Sequence, residues 1–208
     1  MIKLKSLFEH DNKILQQEFV EGFDMKEFLA LPTYAKKIKY AGERLRRLAS
    51  GSSRTVYTID NAKVLKLAKN VKGLAQNEAE GDWGLNQMYG DIIAKVLDRD
   101  EEWRWIVSEY AKPVTKTRFK HLVGVDIYIF FRYLRDELDG INSYVSPEDK
   151  KILDENEFFG ELMGLIRDFD MEIGDFGRGS SFGELDGRIV IIDYGLTKTV
   201  FNTHYARR

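Results

Sequence analysis

The chain has 208 residues, 43% of them hydrophobic, with 32 lysines and arginines against 34 aspartates and glutamates, a formal net charge of −2. This length suits one domain or two small lobes that share a cleft, and the apolar content is sufficient for a packed core. The absence of cysteine excludes disulfides, thiolate zinc sites and a cysteine nucleophile.

Targeting and membrane segments are not expected. No stretch approaches the roughly 20 apolar residues of a membrane-spanning helix, and the first ten residues lack the apolar core of a signal peptide. We therefore expect a cytoplasmic protein with no membrane partner. The three histidines lie far apart in the sequence, so metal chemistry must depend on carboxylates.

The sequence predicts an N-terminal helical extension over residues 1–47. Phe19, Phe23, Phe28 and Leu29 recur at loosely helical spacing and should be buried. The basic stretch 36–47 predicts a solvated helix face. A nucleic-acid surface is the less favoured alternative, because the chain as a whole is not basic.

Residues 48–111 change to a β-type pattern. Two strands are predicted at 55–59 and 63–67, joined by the turn-forming pair Asp60-Asn61. A helix over 73–89 and two further strands at 92–97 and 103–110 follow. This β-β-α-β-β order predicts a small antiparallel sheet with one helix packed on it.

Residues 112–208 are predicted to be mainly helical. Ser146 and Pro147 form a strong helix start, and the helix is predicted to continue to residue 169. The apolar run 188–192 predicts a buried strand that ends at Asp193.

The first candidate site residues lie in the small sheet. Gly51 allows the backbone to bend closely over a ligand, and Ser52 and Ser53 offer N–H groups to phosphate oxygens. Strand alternation places Val64 and Lys66 on one face. A lysine on a half-buried strand requires an anion, which bound phosphates and a carboxylate supply.

The helix that follows offers Glu78 and Glu80 as that carboxylate. We favour Glu80, because Trp83 and Gln87 lie one and two turns further on, so that the same side of the helix packs against the sheet.

The sequence resembles the protein-kinase-like fold, an α+β fold of two lobes. The features that carry the resemblance stand in the family's order: the glycine loop, then Lys66, then Glu80. Residues 106–111 look like the last strand of the small lobe running into the hinge. The resemblance implies that Ser108 is the gatekeeper, and that the Glu109 carbonyl and the Ala111 N–H hold the adenine edge of ATP.

Two motifs of the C-terminal third resemble the same family. Ile173-Gly-Asp175 is similar to its His-Arg-Asp catalytic loop, and Asp193-Tyr194-Gly195 to its Asp-Phe-Gly motif, at the family's usual separation. Ser180 stands where the family carries a metal-binding asparagine. The resemblance implies that Asp193 binds Mg²⁺ with Ser180 as a weaker ligand, and that Asp175 and Lys66 are catalytic.

The function implied is transfer of the γ-phosphate of ATP to a hydroxyl group of a protein or small molecule, a serine or threonine of a host protein being one candidate. Because few residues follow Gly195, we expect a reduced larger lobe, as in similar compact kinases of bacterial viruses. The N-terminal extension is then expected to cover apolar surface of that lobe or of the helix that carries Glu80.

Three alternatives stay open. Ser180 and the absence of a histidine-arginine pair before Asp175 favour a pseudokinase that binds nucleotide without transfer. Transfer of AMP is a second possibility. A nucleic-acid or partner surface built from the stretch 36–47 and the aromatic residues of 128–133 ranks last, since aromatics at that density on a helix are usually core.

Overall fold

The structure is a computed structural model that describes residues 22–140 and 144–206. These residues form the predicted α+β architecture, with a small antiparallel sheet followed by a mainly helical larger lobe. Phe19 and the rest of segment 1–21 lie outside the described residues. Within the described part, no helix is both long and apolar enough to cross a bilayer.

The small lobe is built on a five-stranded antiparallel sheet with strand order β1-β2-β3-β5-β4. Its strands are β1 (Arg46–Ser50), β2 (Arg54–Thr58), β3 (Lys63–Ala68), β4 (Val96–Arg99) and β5 (Trp105–Glu109). Strand β1 was not predicted, because its residues are mostly exposed and carry no apolar alternation.

The predicted helix over 73–89 is two helices, α3 (Val71–Glu80) and α4 (Trp83–Met88). The break occurs at Gly81, where a Cβ would lie 2.2 Å from the Trp103 ring. Asp82 then caps α4 by accepting a hydrogen bond of 2.8 Å from the Leu85 N–H. Trp83 is 77% exposed, so the expectation that it packs against the sheet is wrong.

The strand predicted at 92–97 begins only at Val96. Ile92 and Ile93 are instead buried in the core of the larger lobe, and Ile93 forms an isolated parallel bridge with Ile191.

The larger lobe follows directly from β5. Its elements are β6 (Lys112–Pro113), α5 (Lys116–Val123), α6 (Ile127–Asp139), α7 (Pro147–Asp154), α8 (Glu157–Asp168), two 3₁₀ helices (Ile173–Gly177 and Gly179–Ser181), β7 (Phe182–Leu185), β8 (Arg188–Ile191) and α9 (Lys198–His204). The predicted helix over 146–169 is interrupted before α8, where Asn156 caps the new helix through the Phe159 N–H at 2.9 Å.

The core of the larger lobe is rich in aromatic residues. Phe119, Phe130 and Phe182 are fully buried and meet edge to face, with ring centroids 5.3–6.0 Å apart. Tyr133 of α6 is also buried, whereas Tyr128 is largely exposed. Most of this aromatic stretch is therefore core, as its density predicted.

The N-terminal extension contains α1 (Met25–Ala30) and α2 (Tyr34–Arg44). Its described part covers the small sheet, where Phe28 packs edge to face on Trp105 with centroids 5.7 Å apart. The expectation that it covers the larger lobe or the Glu80 helix is wrong for these residues. The sheet takes this role because Leu65 and Leu67 present an apolar face away from the Lys66 side.

Two residues of the extension depart from their predicted environments. Leu29 is 47% exposed, whereas Phe28 beside it is fully buried. Lys37, predicted on a solvated face, is buried and donates to the Phe28 and Leu29 carbonyls at 2.7 Å each. It thereby satisfies carbonyl groups at the end of α1.

Phe28→Leu is expected to lower the free energy of unfolding by about 1–2 kcal/mol, because leucine leaves part of the Phe28 space empty. Urea unfolding followed by circular dichroism measures the change. Leu29→Ala is the matched control and should be within about 0.5 kcal/mol of wild type. Equal stability of the Phe28 variant and wild type would show that α1 does not pack stably on the sheet.

Candidate active site

A cavity of about 520 Å³ lies between the small sheet and the larger lobe. Its volume is typical of small-molecule sites. The lining residues are Leu48, Ala49, Ser50, Gly51, Ser53, Arg54, Val56, Val64, Lys66, Gln76, Ala94, Glu109, Tyr110, Ala111, Pro113, Ser180, Ile192 and Asp193.

Most of the predicted site residues come together at this cavity. Those on its wall are Gly51, Ser53, Val64, Lys66, Glu109, Ala111, Ser180 and Asp193. The remaining four, Ser52, Glu80, Ser108 and Asp175, do not line it. The positions of these four differ, and each is described below.

Lys66 and Glu80 form a buried ion pair. Lys66 Nζ lies 2.5 Å from Glu80 Oε2 and also donates to the Ile192 carbonyl at 2.8 Å. Glu80, in the last turn of α3, is 0% exposed. Burial lowers the pKa of Lys66 and the Glu80 carboxylate opposes this effect. The strand lysine is therefore held at the cavity wall by a carboxylate behind it.

Arg54, at the start of β2, is a site residue that the sequence analysis missed. Its Nη1 lies 2.8 Å from Glu80 Oε1, in ion-pair contact without hydrogen-bond alignment, and its Nη2 lies 2.6 Å from Asp193 Oδ1. The side chain is buried, and Nη1 also donates to Asn77 Oδ1 at 3.3 Å. Burial disfavours the guanidinium charge, but Glu80 and Asp193 raise its pKa overall.

A sequence signal for Arg54 did exist. Val56 is opposite Lys66 in the β2–β3 register, and alternation places Arg54 on the same face as Val56. That face lines the cavity. The signal was missed because arginine at a strand end is normally solvated.

The glycine loop is tied to α3 and to its N-cap residue, Asn70. The Ser53 hydroxyl donates to Gln76 Oε1 at 2.6 Å, and the Ser52 carbonyl accepts from Asn70 Nδ2 at 2.9 Å. Ser52 itself is exposed. A Cβ at Gly51 would meet no atom within 4 Å, so this glycine leaves open space beside the cavity.

The chain passes between the lobes beside the cavity. Glu109 is held by Lys95, donating its N–H to the Lys95 carbonyl at 3.0 Å and accepting from the Lys95 N–H at 2.9 Å through its carboxylate. Ala111 follows on the cavity wall. Ser108 is fully buried opposite Val64, and among the described residues its hydroxyl has no hydrogen-bond partner.

Asp175 lies in the first 3₁₀ helix. Its carbonyl accepts hydrogen bonds from the Ser181 hydroxyl at 2.7 Å and from the Arg178 N–H at 3.3 Å, which hold the turn in place. Burial raises the pKa of the Asp175 carboxyl, and the negative charge of Asp193 raises it further. The two aspartates are therefore close enough to interact electrostatically.

Asp193 follows β8 and its side chain is 50% exposed. The residues after it are held in place. The Tyr194 hydroxyl donates to the Ala94 carbonyl at 2.9 Å, and a Cβ at Gly195 would lie 2.6 Å from the Gln76 carbonyl oxygen. Only glycine allows this close approach to α3, so the backbone beside Asp193 is constrained.

The oxygen groups at the cavity suit magnesium. The Asp193 carboxylate and the Ser180 hydroxyl are on the wall, with Asp175 nearby. Among residues 22–140 and 144–206, no group of three or more acidic or histidine side chains forms a metal cage. Mg²⁺ is usually held by one or two carboxylates together with substrate phosphates, so this donor set fits the ion when it arrives with a nucleotide.

The small antiparallel sheet, the buried lysine–glutamate pair and the aspartates of the larger lobe give the α+β arrangement that the resemblance to the protein-kinase-like fold predicts. No family model matches the sequence, and no curated protein matches it.

Similar solved structures are distant in sequence. SAICAR synthase from Saccharomyces cerevisiae is 14% identical, with a TM-score of 0.40 over 74% of this chain and 74% of that chain. The ternary complex of APH(2")-IIa with streptomycin and ATP is 15% identical, with a TM-score of 0.35 over 94% and 72%. A choline/ethanolamine kinase family protein from Mesorhizobium loti is 16% identical, with a TM-score of 0.38 over 81% and 62%.

Proposed function

We propose that this chain is an ATP- and Mg²⁺-dependent phosphotransferase that moves the γ-phosphate of ATP to a hydroxyl group. The observation that carries the proposal is that Lys66, anchored by Glu80 at 2.5 Å, shares one cavity of about 520 Å³ with Asp193. A cation and a metal-binding carboxylate in one cavity are what a nucleoside triphosphate requires.

Phosphoryl transfer depends mainly on positioning and on neutralising charge. In the proposed arrangement, the Lys66 ammonium neutralises phosphate oxygens, and Gly51 and Ser53 cover them from the loop. Asp193 and Ser180 would hold Mg²⁺, which supplies positive charge to the phosphates. Glu109 and Ala111, beside the connection between the lobes, would hold the base.

The acceptor is proposed to be a hydroxyl group because Asp175 offers a carboxylate that can take its proton. Its raised pKa brings it nearer to neutral pH, which suits a general base. Both protein side chains and small metabolites carry such hydroxyls, and a serine or threonine of a host protein is included in this class.

A second candidate is a nucleotide-binding module without transfer. The contact between Arg54 Nη2 and Asp193 Oδ1 favours it, because the carboxylate that would hold the metal is already paired with a cation. Ser180 also favours a module without transfer, because a serine hydroxyl reaches less far toward a metal ion than the asparagine that the protein-kinase-like family carries at this position.

The test is incubation of the purified protein with Mg²⁺ and ATP labelled on either the γ- or the α-phosphate, with and without a cell lysate that supplies acceptors. Wild type is compared with Lys66→Met and Asp193→Asn. Matched controls are Lys63→Met, an exposed lysine of the same strand, and Asp186→Asn, an exposed aspartate of the β7–β8 turn.

Transfer of γ-label that persists in both controls and disappears in both site variants is the expected result. Transfer of α-label would identify AMP transfer instead. Nucleotide binding without either transfer would favour the binding module, and the absence of binding would contradict both candidates.

A further inference from the structure

Arg54 occupies a place that the proposed function leaves unexplained. Its guanidinium spans the two lobes, with Nη1 2.8 Å from Glu80 of α3 and Nη2 2.6 Å from Asp193 beyond β8. Glu80 therefore has a cation at each carboxylate oxygen, since Lys66 Nζ contacts the other. Two cations and two carboxylates together give a local cluster with no net charge.

The Asp193 carboxylate that Arg54 contacts is the one proposed to hold Mg²⁺. A divalent ion and a guanidinium cannot both approach one carboxylate oxygen without strong mutual repulsion. The two ends of Arg54 also differ, because Glu80 is fully buried, whereas the Asp193 side chain is half exposed. The solvent-facing contact is the one an arriving ion can reach.

We propose that Arg54 is a resident cation that competes with divalent metal for Asp193, so that metal binds only as Nη2 releases Oδ1. The inference rests on the proposed function, since it concerns the metal ligand of that site. Arg54 retains its Glu80 and Asn77 contacts when Asp193 is released. Metal binding thereby breaks the contact between Arg54 and Asp193, which links the two lobes.

The experiment measures Mn²⁺ binding to the full chain without nucleotide, using the electron paramagnetic resonance signal of free Mn²⁺. Arg54→Gln is expected to lower the Mn²⁺ dissociation constant about tenfold. This figure already allows for solvent screening at the half-exposed Asp193 side chain. Arg54→Lys should tighten it about threefold, because an ammonium cannot bridge both carboxylates as the guanidinium does.

Two further variants separate competition from general electrostatics. Arg178→Gln removes an exposed positive charge that acts on Asp175, and it should change Mn²⁺ affinity less than about twofold. The double variant Arg54→Gln with Asp193→Asn should lose the whole gain, because the competed carboxylate is gone.

Unchanged or weaker Mn²⁺ binding in Arg54→Gln would overturn the proposal, as would an equal gain in Arg178→Gln or a gain that survives in the double variant. Should Arg54→Gln fail to fold, Arg54→Lys decides by the same criteria. Because this measurement involves no ATP and no transfer, its outcome is independent of the labelling result that tests the proposed function.

Discussion

Glu80→Gln is expected to lower the free energy of unfolding by about 3–5 kcal/mol, the usual cost of removing one partner from a buried ion pair. The carboxylate is fully buried and contacts Arg54 and Lys66. The amide carries no charge, so the variant leaves two buried cations facing each other.

The pH dependence of this loss gives the prediction a second readout. Burial already lowers the pKa of Lys66 from its ordinary value of 10.5, and the loss of Glu80 lowers this pKa further. Between the lowered pKa of Lys66 and pH 10.5, the folded variant then binds fewer protons than the unfolded chain. Its free energy of unfolding therefore rises with pH over this range. The deficit of Glu80→Gln should therefore shrink as Lys66 loses its proton.

Urea unfolding followed by circular dichroism at several pH values measures both effects. Glu78→Gln is the matched control, because Glu78 lies on the same helix and is exposed. It should remain within about 0.5 kcal/mol of wild type. Equal losses in the two variants would show that the contacts of Glu80 do not stabilise the fold.

Asp175→Asn is expected to reduce the rate of phosphate transfer by about 10²–10⁴-fold, the usual contribution of a general base. The asparagine side chain has the same shape but cannot accept the proton of the incoming hydroxyl. The measurement is the initial rate of γ-label transfer to whichever acceptor the lysate experiment identifies.

The same variant is expected to have a higher melting temperature at pH 7. Burial and the charge of Asp193 raise the folded-state pKa of Asp175 above 3.8. Between pH 3.8 and that raised pKa, the folded protein therefore binds more protons than the unfolded chain. Stability from this group consequently falls as pH rises from 3.8 through the folded pKa. At pH 7 the charged carboxylate opposes folding, and the neutral amide removes that cost.

Asp186→Asn is the control for both measurements, because Asp186 is exposed and its positive φ of 51° is tolerated by asparagine. It should leave rate and melting temperature unchanged. A rate within about threefold of wild type in Asp175→Asn would exclude the general-base role, and a lower melting temperature would contradict the electrostatic argument.

Much of the fold follows from local patterns. Strands β2 and β3 are short runs rich in strand-forming and apolar residues, and a turn-forming pair joins them, so they were predicted within one or two residues. The face of β3 that carries Lys66 also followed from alternation. These features depend on neighbouring residues, whose geometry is repeated along a strand or helix. Glu80, and not Glu78, contacts Lys66, but Glu80 was favoured because Trp83 was expected to pack against the sheet, and Trp83 is exposed.

The predictions were wrong where contacts between residues distant in the sequence determine the local structure. The break between α3 and α4 comes at Gly81, where a side chain would meet the Trp103 ring from outside the helix. Strand β1 exists because β2 offers it a hydrogen-bonded edge, although its own residues carry little apolar signal. The N-terminal helices cover the small sheet because that sheet presents an unpaired apolar face, which the sequence of the helices alone does not identify.

The sequence by itself determined the α+β class, the order of the chemical motifs and the face of β3 that carries Lys66, because these depend on spacing along the chain. Only the tertiary structure decided that Arg54 joins Glu80 to Asp193, two residues separated by more than half of the chain. A buried guanidinium takes whichever carboxylates the packed lobes bring within reach, and that choice depends on three-dimensional distance.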